Sequence, residues 1–306
     1  MSRRDILPRV LREAIVACAL LGVLTGVPLQ CDAQHPVDVQ KLSAEGEHFK
    51  ALTLFELLPS KKVGADTRLF VAKSAWALGL NRQAGELFDA VLRDEAISPE
   101  MRARVTLSRG AIEYQEGRYQ EASLYAEKAI SFLHEPSPLR GRGYLLWGQA
   151  LVRAGSFGTA EEKLKAALND ADTEDKPEIH FTLARVEMRL GKHPSAEKNL
   201  RAIPLDHEKT PFAVRMLASI AIETQLYERA RFWIERGKKD FPEGFIDSWA
   251  DYGLVRASLA EGDMLKAREI VEQAGKQFAP SDSWLILMQA ALEESEWERQ
   301  QSLEAR

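Results

Sequence analysis

Apolar residues recur along this chain at every third or fourth position, in stretches punctuated by glycine and proline. Leu217, Ile220, Ala221 and Thr224 fall on one helical face, and so do Ala160, Leu164, Ala167 and Leu168. That period predicts amphipathic helices. The punctuation is itself periodic. An alanine stands five residues after a glycine at Gly117 and Ala122, Gly155 and Ala160, Gly191 and Ala196, and Gly262 and Ala267. An aromatic lies between in two of these, Tyr119 and Phe157. Weaker copies pair Gly46 with Ala51, Gly79 with Ala84, and Gln225 with Ala230. The seven alanines are spaced by 33, 38, 38, 36, 34 and 37 residues. A period of that length predicts repeated helix pairs, with each glycine supplying a turn conformation that a side chain would oppose. One pair cannot bury its apolar face alone, so neighbours must stack to complete a core.

These residues resemble the tetratricopeptide repeat. The family pattern places a small residue seven positions before the turn, where Gly110, Gly148, Ala184 and Ala218 stand. The best single copy runs through Trp147, Gly148, Gln149, Ala150 and Leu151 to Gly155, Phe157, Ala160, Leu164 and Ala167. Pro59, Pro136, Pro204, Pro242 and Pro280 close units. The likeness covers roughly residues 38–300 and departs from pattern at Arg109, Gln225 and Val255. It implies an all-α fold, a right-handed superhelical solenoid of stacked antiparallel helix pairs. About seven units would fill residues 34–306, with longer loops near 96–99, 134–138 and 169–176. Residues 283–306 would form a capping helix whose end, from Trp297, fades into solvent.

The first 33 residues read as an export signal. Arg3, Arg4, Arg9 and Arg12 precede an uncharged apolar run at 14–27, followed by Cys31, Asp32 and Ala33, with cleavage expected after Ala33. The run is short for a spanning helix, and an uncleaved membrane anchor is the alternative. Arg3 and Arg4 followed by Ile6 and Leu7 resemble the twin-arginine export motif, with Pro8 where that motif often has lysine. Lipidation at Cys31 would want a small residue where Gln30 stands. The layout points to a bacterial envelope protein, with the periplasm as its expected location.

Charge and chemistry narrow the function. The chain of 306 residues carries −5, and the part after the signal carries −6, which argues against a dedicated nucleic-acid binder. Both cysteines lie in the signal, so the body has neither a disulfide framework nor a cysteine metal site. The six histidines, His35, His48, His134, His180, His193 and His207, show no metal-ligand spacing. No phosphate loop, dinucleotide fingerprint or nucleophile elbow is present. No catalytic, metal or cofactor residue is therefore expected. Gly141 and Gly143 read as a loop or a helix start after Pro136 and Pro138. The pairs Glu161-Glu162 and Glu293-Glu294 read as solvated faces.

In the family resembled, the first helix of each pair lines a concave groove. Counting back from each alanine puts Leu69, Lys73 and Trp76 there, then Leu107 and Tyr114, then Arg142, Leu145 and Gln149. Phe181, Arg185, Met188 and Arg189 follow, then Phe212 and Arg215, then Trp249, Tyr252 and Arg256. Six of these are basic and none is acidic. Arginine and aromatic side chains favour protein interfaces, so the expectation is a groove that binds an extended acidic peptide or carboxylate tail. The competing expectation is that half of these arginines close internal salt bridges to adjacent helices. A known chaperone-tail clamp of the family needs asparagine where Lys73, Ala111, Gln149, Arg185, Ser219 and Arg256 stand, so that clamp is not expected. The reading is a non-catalytic interaction scaffold with a protein or peptide partner. The alternatives are a regulatory or chaperone-like subunit of an exported enzyme, or a membrane-tethered assembly factor if the signal stays.

Overall fold

The computed structural model describes residues 35–58 and 63–304. Residues 1–33, which read as an export signal, and Pro59 lie outside the described residues. Among the described residues the regular structure is helical, fifteen α-helices and a short 3₁₀ turn, without strands. The chain divides into two compact units, one through Asp94 and one from Glu95.

The first unit holds α1 (Pro36–Ala44), α2 (His48–Leu57), α3 (Ala65–Ala77) and α4 (Asn81–Leu92). α1 packs on α2 and α3, and α3 packs on α4. Its core includes Val39, Ala51, Val71, Ala75, Ala84 and Phe88, each fully buried. Ser43 and Ser74 are buried polar groups whose hydroxyls are satisfied in series. Ser74 donates to Ser43 at 2.8 Å, and Ser43 donates to the Phe70 carbonyl at 2.9 Å.

The second unit holds α5 (Pro99–Gln115), α6 (Tyr119–Ser131), α7 (Pro138–Arg153), α8 (Phe157–Asp170), α9 (Lys176–Arg189) and α10 (His193–Arg201). It continues with α11 (Thr210–Glu223), α12 (Tyr227–Asp240), α13 (Ser248–Ala260), α14 (Met264–Gln277) and α15 (Ser283–Glu304). Successive helices pair as α5 with α6, α7 with α8, α9 with α10, α11 with α12 and α13 with α14, and α15 packs on α13 and α14. The second helix of each pair also packs on the first helix of the next. The result is a solenoid of stacked helix pairs of tetratricopeptide type.

The turns inside the pairs explain the glycine period. Gly46, Gly79, Gly117, Gly155, Gly191 and Gly262 all take positive φ, between 70° and 80°. The residue after each glycine donates its backbone N–H to a carbonyl five residues back, as Arg118 does to Glu113 and Lys192 to Glu187. This is the bond that closes a helix through a left-handed residue. Gln225 occupies the same place with φ 58°, and Leu226 donates to Ala221 at 2.8 Å. The weak copy at Gln225 is thus a full structural copy built on a residue that opposes the conformation.

Small residues do the packing inside each pair. A Cβ on Gly148 would stand 2.6 Å from Leu164 Cγ, and one on Gly110 would stand 2.8 Å from Tyr125 Cβ. Ala184 and Ala218 are fully buried at the same repeat position. Val255 takes that position in α13 and packs with Ala267 and Val271. Gly141 and Gly143 belong to the first turns of α7, which Ser137 caps by accepting from the Arg140 N–H, so they are a helix start.

Two carboxylates enter this core at one repeat position, four residues before the turn. Glu113 is 4% exposed and is held by Arg109 and Arg118. Burial pushes its pKa up, but the two guanidinium groups outweigh that and hold it below the usual carboxylate range. Glu187 is 2% exposed and accepts from the Asn199 amide at 2.7 Å, and burial pushes its pKa up. Glu161, expected on a solvated face, is buried as well. Lys165 and Lys192 donate to it at 2.7 and 2.6 Å and hold its pKa down.

Replacing Gln225 with glycine removes the left-handed strain without removing a buried side chain. Gln225→Gly is expected to stabilise the protein by about 1 kcal/mol. A urea titration reads this as a higher midpoint at unchanged slope. A lower midpoint would mean that the Gln225 side chain contributes more than its backbone costs.

Candidate interaction site

In the first unit, Lys73 and Trp76 lie on α3. Lys73 Nζ stands 5.8 Å over the Phe70 ring, and Trp76 meets Phe88 edge-on with centroids 6.4 Å apart. Leu69 is buried in the core.

In the second unit the expected row separates into closed and open members. Arg142 is closed: it donates to Asp175 at 2.6 Å and has Asp172 at 3.7 Å, both in the loop after α8. The Asp175 bond raises the Arg142 pKa above its usual value. Arg215 is closed too. It makes a two-pronged contact with Asp247 at 2.9 and 2.5 Å, donates to the Gly244 carbonyl, and lies 4.3 Å from the Trp249 ring centroid. Trp249 was expected to face a partner but is 8% exposed, desolvated by Phe245 and by the Arg215 plane. Arg256 is half-buried and donates to the Tyr227 hydroxyl at 3.1 Å, which raises its pKa. Tyr252 packs on Trp284, and Gln149 donates to Glu178 at 3.4 Å. Leu107 is buried in the core.

Arg185 and Arg189 are open. Both are exposed on α9, and among the described residues neither meets a carboxylate. Arg185 lies 6.0 Å over Phe181, which meets exposed Phe212 edge-on at 6.3 Å. With Arg153 they line a cleft of about 640 Å³. Its remaining lining is Val152, Phe157, Met188 and Met216, with Glu223 as its one carboxylate. His193 Nε2 stands 3.9 Å from Glu223. Tyr114 is close enough to feel both ends of the cluster. Burial raises its phenol pKa, and the charges of Arg153 and Arg185 oppose that rise.

Arg153 is the member that residue counting missed. It ends α7, exposed, with its guanidinium 5.1 Å from the Tyr119 ring and no carboxylate partner among the described residues. A signal for it exists in the sequence. Arg153 stands two residues before Gly155, as Arg189 stands two before Gly191, so the repeat register places both at the same level of the stack. The row can therefore offer cationic hydrogen-bond donors over an apolar thioether and aromatic floor, a combination that suits a carboxylate beside an apolar group. Among the described residues, no group of three or more His, Cys, Asp or Glu side chains is arranged to hold a metal. No described helix is long and apolar enough to cross a membrane.

Residues 72–138 and 145–213 match the family model for the tetratricopeptide repeat, so the chain contains repeats of that type. Among solved structures, the chain is similar to the C-terminal part of a TPR repeat-containing protein from Cytophaga hutchinsonii. That pair shares 13% identity over 83% of this chain and 99% of the other, with a TM-score of 0.66. It is similar to pilF of Pseudomonas aeruginosa at 17% identity, over 69% of this chain and 94% of the other, with a TM-score of 0.55. PilW, described as a widely conserved type IV pilus biogenesis factor, matches at 16% identity over 73% and 97% with a TM-score of 0.54. These likenesses show the fold. No curated protein matches the sequence.

The closed and open arginines differ in what they contribute to stability. Arg215→Ala removes two charged hydrogen bonds and a stacked plane and is expected to cost about 2 kcal/mol. Arg185→Ala is expected to cost less than about 0.5 kcal/mol. Chemical denaturation of both variants decides it, and equal losses would show that Arg185 is structural.

Proposed function

We propose that this protein is a non-catalytic interaction scaffold that holds an extended acidic segment of a partner protein at Arg153, Arg185 and Arg189. The observation that carries this reading is the division within one row of basic residues. Arg142 and Arg215 are neutralised by aspartates, while three arginines lining a single cleft are not. Leaving guanidinium groups unpaired above Met188, Met216 and Phe157 is favourable for binding, because a partner carboxylate then gains charged hydrogen bonds without displacing an internal pair. The repeat fold supports the scaffold reading, since stacked helix pairs present long side-chain rows suited to a chain-like ligand.

The setting we propose is the bacterial envelope, supported by the basic, apolar and small-residue layout of the first 33 residues. The fold shared with PilW, a pilus biogenesis factor, is consistent with an envelope assembly role. A regulatory or chaperone-like subunit of an exported enzyme is the second reading, favoured by the pair Arg3-Arg4.

Binding is tested with a fluorescent glutamate-rich peptide and its lysine counterpart. The wild type is expected to bind the acidic peptide, more weakly as salt rises. Arg185→Glu combined with Arg189→Glu should keep the helical spectrum and lose the peptide. A folded variant that binds undiminished would move the site away from this cleft. For the location, fractionated cells should yield the protein shortened at its N-terminus in the periplasm, and full-length protein confined to the cytoplasm would refute export.

A further inference from the structure

A second surface of the unit from Glu95 carries chemistry that the Arg153 cleft does not use. Between α10 and α12 lies another cleft, of about 450 Å³, lined by Arg201, Glu228, Arg229, Phe232, Trp233 and Arg236. Phe232 is 54% exposed and meets Trp233 edge-on at 4.9 Å. The guanidinium carbons of Arg201 and Arg236 stand 5.4 and 5.8 Å from the Trp233 centroid. Glu228 is the one carboxylate of the lining, against three arginines, and two further carboxylates stand outside it. Glu197 lies 2.6 Å from Arg201 and 3.7 Å from Arg229, and Asp240 lies 3.4 Å from Arg236. Arginine around a partly open aromatic pair is the composition of an interface centre rather than of a solvated helix face.

The outer face of α15 has the complementary composition. Ile286, Ala290, Glu293 and Trp297 follow one another at helical spacing, and Glu294 and Glu298 lie beside them. Trp297 is 61% exposed. Glu296 is held by Arg268 at 2.5 Å, whereas Glu293, Glu294 and Glu298 are in no ion pair among the described residues. α15 packs on α13 and α14 through Leu285, Met288 and Leu292, and contacts to α14 continue to the residue before Trp297, with Ser295 donating to Met264 Sδ at 3.4 Å and Arg268 to Glu296.

We propose that the cleft between α10 and α12 takes the Trp297 end of α15 from a second copy of this chain. Trp297 adds its ring to the Phe232 and Trp233 pair, and Glu293, Glu294 and Glu298 meet chiefly Arg229 and Arg236, whose internal partners stand 3.7 and 3.4 Å away, with Arg201 beside them. Two different surfaces of each copy are used, so the contact is head-to-tail and continues into a ring or an open row of copies. Such a row would present one Arg153 cleft per copy, and the self-association does not depend on that cleft. The contact is small and charge-rich, so it is reversible and weakens with salt.

Sedimentation equilibrium of the purified protein over a range of concentrations tests this. The mean mass should rise with concentration at low salt and fall back when salt is added. A cleft variant, Arg201→Glu with Arg229→Glu, and a helix variant, Glu293→Lys with Glu294→Lys and Glu298→Lys, should each associate about tenfold more weakly or worse. Circular dichroism checks that both remain helical. Mixing the two variants should restore association, because the intact cleft of one meets the intact α15 of the other. A wild type that stays monomeric throughout, variants that associate like the wild type, or a mixture of folded variants that stays monomeric would each overturn the proposal. Arg185→Glu with Arg189→Glu should self-associate like the wild type, which separates failure here from failure of the groove reading.

Discussion

The left-handed turn inside each helix pair is the constraint on which the rest depends. One residue at positive φ lets the following N–H bond a carbonyl five residues back, and the second helix then leaves antiparallel to the first. Once that angle is set, the residue seven places earlier lies where the two helices cross and is small in most pairs, with Val255 as the exception in α13. Gly110, Gly148, Ala184 and Ala218 are the small residues there. The same count sets which residues share a level along the stack. Arg153, Arg189 and Glu223 each stand two residues before a turn, and all three line one cleft. The candidate site is thus a consequence of turn register as much as of any local motif.

Electrostatics then divides residues that the register makes equivalent. Glu113 and Glu187 occupy one repeat position and are both buried. The first is flanked by two guanidinium groups and its pKa falls, while the second is bonded by an amide rather than a cation and burial raises its pKa. The same division runs through the basic row. The loop after α8 supplies Asp172 and Asp175 to Arg142, and the approach to α13 supplies Asp247 to Arg215. The segment after α10 supplies no carboxylate to Arg185 or Arg189, so their charge is left for solvent or a partner. Exposure alone does not separate the two sets, because Arg142 is exposed like Arg185 and Arg189 while Arg215 is half-buried; the position of an aspartate decides.

The proposed self-association joins two surfaces of opposite chemistry on one unit, the α10–α12 cleft and the outer face of α15. Phe232 stands among arginines and Trp297 among glutamates, and both rings are more than half exposed.

The period of helix pairs, the turn positions and the small crossing residues were legible in the amino-acid order, because each is a local backbone or contact demand repeated at fixed spacing. Even Gln225, a residue type that does not favour positive φ, is marked as a turn by its phase in the repeat. What the order could not decide was the fate of individual charges. Glu161 reads as half of an exposed acidic pair, yet Lys192 from the next helix pair and Lys165 cover it. Arg142 and Arg185 look alike in the row, and only the tertiary fold brings an aspartate to one and not the other. Trp249 follows the spacing of a surface aromatic but is sealed by Phe245 and Arg215. Sequence spacing determines which face a side chain leaves from. Whether that face meets an opposite charge, a ring or water depends on loops and neighbouring helices some thirty residues away, and only the folded chain brings those together.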